Sequence, residues 1–130
     1  MYLLDTNTVS YYFRGEGSVA ERIQACRQGD LAVSVLTDFE LRFGALKAGW
    51  SVPRWNALTH ALQPLLRVPV TTVECCEAAA MRNRVERLGR PVGLIDLLIA
   101  ATAHAHRMTL ITRNTQELGH IPELKVENWF

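Results

Sequence analysis

Met1-Tyr2-Leu3-Leu4-Asp5 is an apolar run that ends on a carboxylate, with the polar triplet Thr6-Asn7-Thr8 directly behind it. Such a run is too short for a helix and reads as a buried strand over residues 2 to 5, its aspartate at the carboxyl end. The arrangement returns at Leu31-Ala32-Val33-Ser34-Val35-Leu36, a second strand over 31 to 36 that stops four residues before Glu40. Between the two, Val19, Ile23 and Cys26 mark one face of a helix that stops at Gly29. Further on, 38 to 48 reads as a helix ending near Gly49, and Trp55, Leu58, Ala61 and Leu62 mark another before Pro64. Val68 to Val70 is a third strand candidate. A long helix from about 74 to 88 carries Ala78, Met81, Val85 and Leu88 on one face and breaks at Gly89-Arg90-Pro91. An apolar helix starts near 93, Met108 to Thr112 is another strand, and Leu124 to Asn128 is a short last one. This alternation predicts an α/β fold of three layers, a short, mostly parallel central sheet flanked by helices, with functional sites at the carboxyl ends of the strands. Asp5 and Thr112 belong to that edge.

The 130 residues are expected to form a single domain, with no internal repeat or linker. A hydrophobic content of 48% with 21% charged residues fits an ordinary globular core. No apolar run approaches the roughly 20 residues of a membrane span and no leader pattern is present, so the expected location is cytoplasmic. Cys26, Cys75 and Cys76 match neither a disulfide framework nor a zinc spacing and are expected to be reduced core thiols.

Three acids stand where a lone charge is poorly accommodated. Asp96 interrupts Leu94-Ile95-Asp96-Leu97-Leu98-Ile99-Ala100-Ala101, where its neighbours at i+3, i+4 and i+7 are Ile99, Ala100 and Ala103. Burying one carboxylate in such a setting costs several kcal/mol, and bringing Asp5, Glu40 and Asp96 together would raise their pKa values. A hard divalent cation removes both problems. Each acid also has a structural explanation. Asp5 can cap a helix beginning within Thr6-Asn7-Thr8, Glu40 fits a capping box with Thr37, and Asp96 complements a helix dipole just after Gly93.

The net charge of +1 conceals twelve arginines among fourteen basic residues, of which Arg82, Arg84, Arg87, Arg90, Arg107 and Arg113 share the third of the chain holding Asp96. The planar guanidinium pairs two phosphate oxygens at once, so the pattern permits a nucleic acid partner. It is equally compatible with a solvated helix face, since Arg82 and Glu86 have the spacing of an i,i+4 pair. His60, His104, His106 and His120 are alternative general bases, although ordinary surface or core roles account for them better.

In chain order, Leu3-Leu4-Asp5-Thr6-Asn7, then Ser34-Val35-Leu36-Thr37 with Glu40-Leu41 and Gly44-Ala45, then Gly89-Arg90-Pro91-Val92-Gly93 with Asp96 and Ile99-Ala100-Ala101, and finally Leu110-Ile111-Thr112-Arg113-Asn114 resemble PIN domains. With the closing Asn128-Trp129, the whole chain is similar to the VapC-type toxins of bacterial toxin–antitoxin pairs. The resemblance implies an endoribonuclease dependent on Mg²⁺ or Mn²⁺, acting on transfer RNA or another structured RNA. It further implies a homodimer, inhibition by a cognate VapB-type antitoxin, and contact with operator DNA only through that antitoxin. Asp5, Glu40 and Asp96 match the family's acidic triad and would hold the metal directly or through water. Many PIN domains place a fourth acid where this chain has Asn114, and Glu117 is the substitute. Asn7, Thr112 and Asn114 are expected to support the carboxylates, and Arg84, Arg87 and Arg90 to meet RNA, with Arg42 and Lys47 as the other path. Two rival readings are a phosphotransferase of the haloacid-dehalogenase type using Asp5 as nucleophile, and an inactive RNA-binding or protein-docking PIN domain.

Overall fold

The first strand, β1 (Tyr2–Leu4), lies in the middle of a five-stranded sheet in the computed structural model, which describes residues 1–130. On one side β1 pairs in parallel with β2 (Leu31–Ser34), which pairs with β3 (Leu66–Val68). On the other it pairs with β4 (Thr109–Ile111), which pairs with β5 (Val126–Glu127), so the order is β3-β2-β1-β4-β5 and every pairing is parallel. The chain builds outward from β1 in one direction and then returns to its other side. The β1/β4 boundary is therefore the topological switch point, where the helices after neighbouring strands diverge and open a crevice.

Seven helices supply the outer layers: α1 (Thr6–Arg14), α2 (Val19–Ala25), α3 (Val35–Lys47), α4 (Val52–Leu62), α5 (Thr72–Arg87), α6 (Leu94–Ala105) and α7 (Thr115–Leu118). Alternate strand residues face opposite sides of a sheet, and the core divides accordingly. Leu3, Ala32 and Leu110 pack with Met81, Val85, Leu97 and Ile99 of α5 and α6. Leu4, Val33 and Ile111 pack with Val9, Val19, Leu58, Leu62 and Trp129 on the other face. Each of the fully buried large side chains contributes about 1.5–3 kcal/mol by leaving water. Between α5 and α6, Gly89 adopts φ +67°, and the amides of Gly89 and Arg90 reach back to the carbonyls of Glu86 and Val85 at 3.0 and 2.9 Å. This left-handed closure favours glycine and turns the chain sharply enough for α6 to pack back on α5.

Several expected boundaries shift. The second strand ends at Ser34 rather than Leu36, because the Ser34 hydroxyl accepts the Leu36 amide at 3.1 Å and caps α3 three residues early. Thr37 is thus inside the helix, and the capping box expected of Thr37 and Glu40 does not form. A capping box forms instead at Thr71 and Glu74, at the start of α5. The third strand lies at 66–68, two residues before its expected place, because Pro69 cannot donate to the ladder. Cys75 and Cys76 are exposed on α5 and only Cys26 is half-buried, so the core-thiol reading fails for the adjacent pair; all three are free. No helix is long and apolar enough to cross a membrane.

Candidate active site

Asp5 leaves β1 directly into α1. Its carboxylate accepts the Thr8 amide at 2.7 Å, so it is the α1 N-cap, and its own amide donates to the Ile111 carbonyl at 3.1 Å. The buried Thr8 hydroxyl donates to that same carbonyl at 3.0 Å. These bonds fix the start of α1 against the end of β4, and with it the direction of the Asp5 carboxylate.

Glu40 comes from the second turn of α3, which follows β2. Its Oε1 accepts the Thr6 hydroxyl at 2.5 Å, and Thr6 Oγ1 lies 3.4 Å from the buried Thr37 hydroxyl. A hydrogen bond from the first turn of α1 to the second turn of α3 therefore ties Glu40 to Thr6, the residue after Asp5. Sequence reasoning gave the supporting role to Asn7. In the structure Asn7 is exposed and makes no side-chain hydrogen bond, while Thr6 contacts the acid. The available signal was the triplet Thr6-Asn7-Thr8 itself, since successive residues on a helix diverge by about 100° and only some can face α3.

Asp96 lies in the first turn of α6, behind the N-cap Gly93, while Ile99, Ala100 and Ala103 below it are buried as expected. Contrary to expectation, Asp96 itself remains in contact with solvent. Partial loss of hydration still pushes its carboxyl above the usual aspartate range, followed by the negative charges of Glu40, Glu117 and Asp5. All four acids thus act on one locus, although they come from α1, α3, α6 and α7. Glu117 is half-buried, and its Oε2 accepts Asn114 Nδ2 at 2.7 Å. The Asn114 backbone N–H in turn donates to the hydroxyl of the fully buried Thr112 at 3.0 Å. Asn114 therefore orients a glutamate about one helical turn onward.

No three acid, imidazole or thiolate groups converge closely enough to hold a cation by themselves. The set fits an ion that keeps most of its waters and touches one or two carboxylates, as Mg²⁺ does, better than a fully protein-ligated site. His104 and His106 sit at the far end of α6, engaged with Glu77 at 2.6 Å and Glu74 at 2.7 Å. Arg87 and Arg90 are exposed without an ion-pair partner, whereas Arg84 is half-buried and lies 3.7 Å from Glu77. Arg42 is held by Asp38 at 2.6 Å, and Asp38 also takes Arg67. A groove of about 190 Å³ between α1, α2 and α4 is lined by Tyr12, Phe13, Ile23, Leu58 and Leu65, and contains none of the acids.

The family model of the PIN domain matches residues 2–124. This chain belongs to the PIN-domain family. Within it the chain is of the VapC type. It is 31% identical over 133 residues to the tRNA(fMet)-specific endonuclease VapC of Shigella flexneri, covering 98% of this chain and 97% of that protein. It is also 31% identical over 134 residues to ribonuclease VapC1 of Haemophilus influenzae, covering 99% and 98%. Among solved structures, VapBC2 of Rickettsia felis bound to a promoter DNA fragment superposes with a TM-score of 0.91 at 28% identity, covering 99% of this chain and 98% of that one. FitAcB of Neisseria gonorrhoeae does so with a TM-score of 0.84 at 28% identity, covering 98% and 97%. The PIN fold explains why four acids distant in sequence meet: each follows a different parallel strand or stands at the start of a helix at the same sheet edge.

Proposed function

We propose that this PIN-domain chain is an endoribonuclease toxin that hydrolyses RNA phosphodiester bonds with Mg²⁺ or Mn²⁺ held, directly or through water, by Asp5, Glu40 and Asp96, Glu117 completing the acidic set. The observation that carries the reading is the convergence of Asp5, Glu40 and Glu117 on Asp96 from α1, α3 and α7, close enough for their charges to add to the loss of hydration that already raises the Asp96 pKa, an arrangement a protein without a cation would gain by dispersing. A bound cation supplies charge neutralisation at the phosphate and a more acidic water. The protein's own residues do the orienting. The Thr8 amide fixes Asp5, the Thr6 hydroxyl fixes Glu40, and Asn114 fixes Glu117. Asp96 has no such donor and is free to adjust to the ion and the RNA.

Transfer RNA is the substrate class favoured by the activity named for the Shigella flexneri relative, and the unpaired Arg87 and Arg90 offer it phosphate contacts. A cognate antitoxin is supported by the VapBC complexes among the structural neighbours, and the apolar groove between α1, α2 and α4 suits an apolar antitoxin segment. Operator DNA would be reached through that antitoxin. A homodimer is supported by Phe39, Phe43 and Leu46, which form an i, i+4, i+7 stripe on α3 and are 60%, 52% and 72% exposed. The phosphotransferase reading of Asp5 loses ground because Asn7, which stands where that reading needs a second aspartate, is exposed and makes no side-chain hydrogen bond. Incubation of the purified chain with total transfer RNA tests the proposal: cleavage with Mg²⁺ or Mn²⁺ that chelator abolishes is expected. Intact RNA under every metal condition would leave the inactive PIN domain as the reading.

A further inference from the structure

Arg113 stands between Thr112 and Asn114, the two residues that lead the chain to Glu117. Most arginines with an assigned neighbour are neutralised by a carboxylate: Arg14 by Glu16, Arg42 and Arg67 by Asp38, Arg82 by Glu86, Arg84 by Glu77. Arg113 has no acidic partner. Its guanidinium carbon lies 3.8 Å from the centre of the Phe130 ring and 5.7 Å from that of Tyr11. The two rings meet edge to face at 4.8 Å. Arg54 is stacked similarly, on Trp50 at 4.1 Å, but it belongs to α4, which carries none of the acids.

The aromatic platform is itself held in place. Phe130 passes so close to Gly17 that a Cβ there would meet its backbone at 2.9 Å, and its amide donates to Asn128 Oδ1 at 2.9 Å. Beside it, the buried Trp129 packs edge-on against Tyr2, and its indole donates to Glu127 at 2.9 Å. A guanidinium stacked by its face has its N–H donors spread around the edge, in the plane that suits two phosphate oxygens. Stacking also removes side-chain freedom before a ligand arrives, which lowers the entropy cost of binding. Tyr11 is six residues beyond Asp5 on α1, about 9 Å along the helix axis, so the platform flanks the acidic cluster rather than entering it.

We propose that Arg113, oriented by Phe130 and Tyr11, binds the phosphate of a nucleotide beside the cleaved bond of single-stranded RNA. This rests on the ribonuclease reading above. The test is binding of a fluorescently labelled single-stranded RNA oligonucleotide to the full chain in chelator, across a salt series, so that cleavage plays no part. Arg113→Gln is expected to weaken binding roughly tenfold and to reduce the slope of log affinity against log salt by about 0.7, one single-strand phosphate contact. Phe130→Leu keeps the charge and should weaken binding less, with the slope unchanged. Arg82→Gln, whose arginine is already paired with Glu86, should match wild type. Wild-type affinity and slope in Arg113→Gln would overturn the proposal and leave Arg113 a staple between α1 and residues 128–130, seen as a lowered melting temperature alone. No RNA binding by the wild-type chain would overturn the ribonuclease reading together with this one.

Discussion

Thr6→Val isolates the bond that holds Glu40. Valine keeps the branched shape of threonine and replaces the hydroxyl with a methyl, so the donor at 2.5 Å from Glu40 Oε1 is lost with little change in packing. A hydrogen bond to an ionised group contributes about 1.5–3 kcal/mol, and the part-buried setting places this one near 1.5 kcal/mol at most. The freed glutamate also regains rotamers worth up to about 1 kcal/mol, which must be lost again when it orients toward a cation. Together these predict about 2 kcal/mol less preorganisation, or cation binding about 30-fold weaker. The fold should be only slightly affected, with a fall in Tm of a few degrees. Calorimetric titration with Mn²⁺, alongside circular dichroism and an RNA cleavage assay, reads all three quantities. Thr6→Ser restores the hydroxyl and should return both affinity and rate to within about twofold of wild type. Wild-type Mn²⁺ affinity and cleavage in Thr6→Val would refute the role given to this bond.

Asp96→Asn is expected to keep its circular dichroism spectrum, lose RNA cleavage, and melt at a higher temperature than wild type in chelator, because the change removes a charge set among like charges; full cleavage by the folded variant would dismiss Asp96. Asp5→Asn and Glu40→Gln should lose cleavage as well. The pKa of Asp96 is raised on folding, so without metal its ionisation lowers stability as pH rises through the elevated value, and acidification toward the unfolded value of 3.8 relieves this. Melting curves with Mg²⁺ and with chelator should therefore diverge as pH increases, and parallel curves would argue against a shared acidic cluster. Glu74 runs the other way: the Thr71 hydroxyl first, then His106, lower its pKa from 4.5 to about 2, so its contribution is full above 4.5 and fades as pH falls toward 2. Glu74→Gln should melt below wild type at neutral pH, with the gap narrowing over that acidic range.

The order of the strands and longer helices was readable because each apolar run is short and stripes such as Ala78, Met81 and Val85 are clear, whereas α7, with four residues, carries no stripe and went unread. The three acids stood out as candidates because Asp5 and Asp96 are at helix starts behind a strand and a glycine, and Glu40 follows closely on a strand, in the second turn of α3. Less legible was anything decided by a single side chain across elements. The hydroxyl of Ser34 moved the start of α3 and dissolved an apparent capping box, because serine caps as well as the threonine three residues later. The choice of Thr6 over Asn7 as the partner of Glu40 depends on how α1 is rotated against α3, which periodicity within either helix does not specify. Asp96 was expected to be buried because its helix is apolar, but a first-turn residue projects past the packed part of the helix toward solvent.

β1 occupies the centre of the sheet, and its two partners come from residues 31–33 and 109–111. Pairings this distant in sequence close slowly, and during synthesis they cannot close at all until the later partner has been made. Asp5 leaves the ribosome well before the strand that sets its edge of the sheet and the acids of α6 and α7, which follow about a hundred residues later. At the roughly 5–20 residues per second of translation, that is an interval of several seconds or more in which the nascent chain has no assembled acidic cluster. A chain that cuts RNA would thus be inert through that interval on the machinery that depends on RNA, and would become active only after α6, β4 and α7 have emerged.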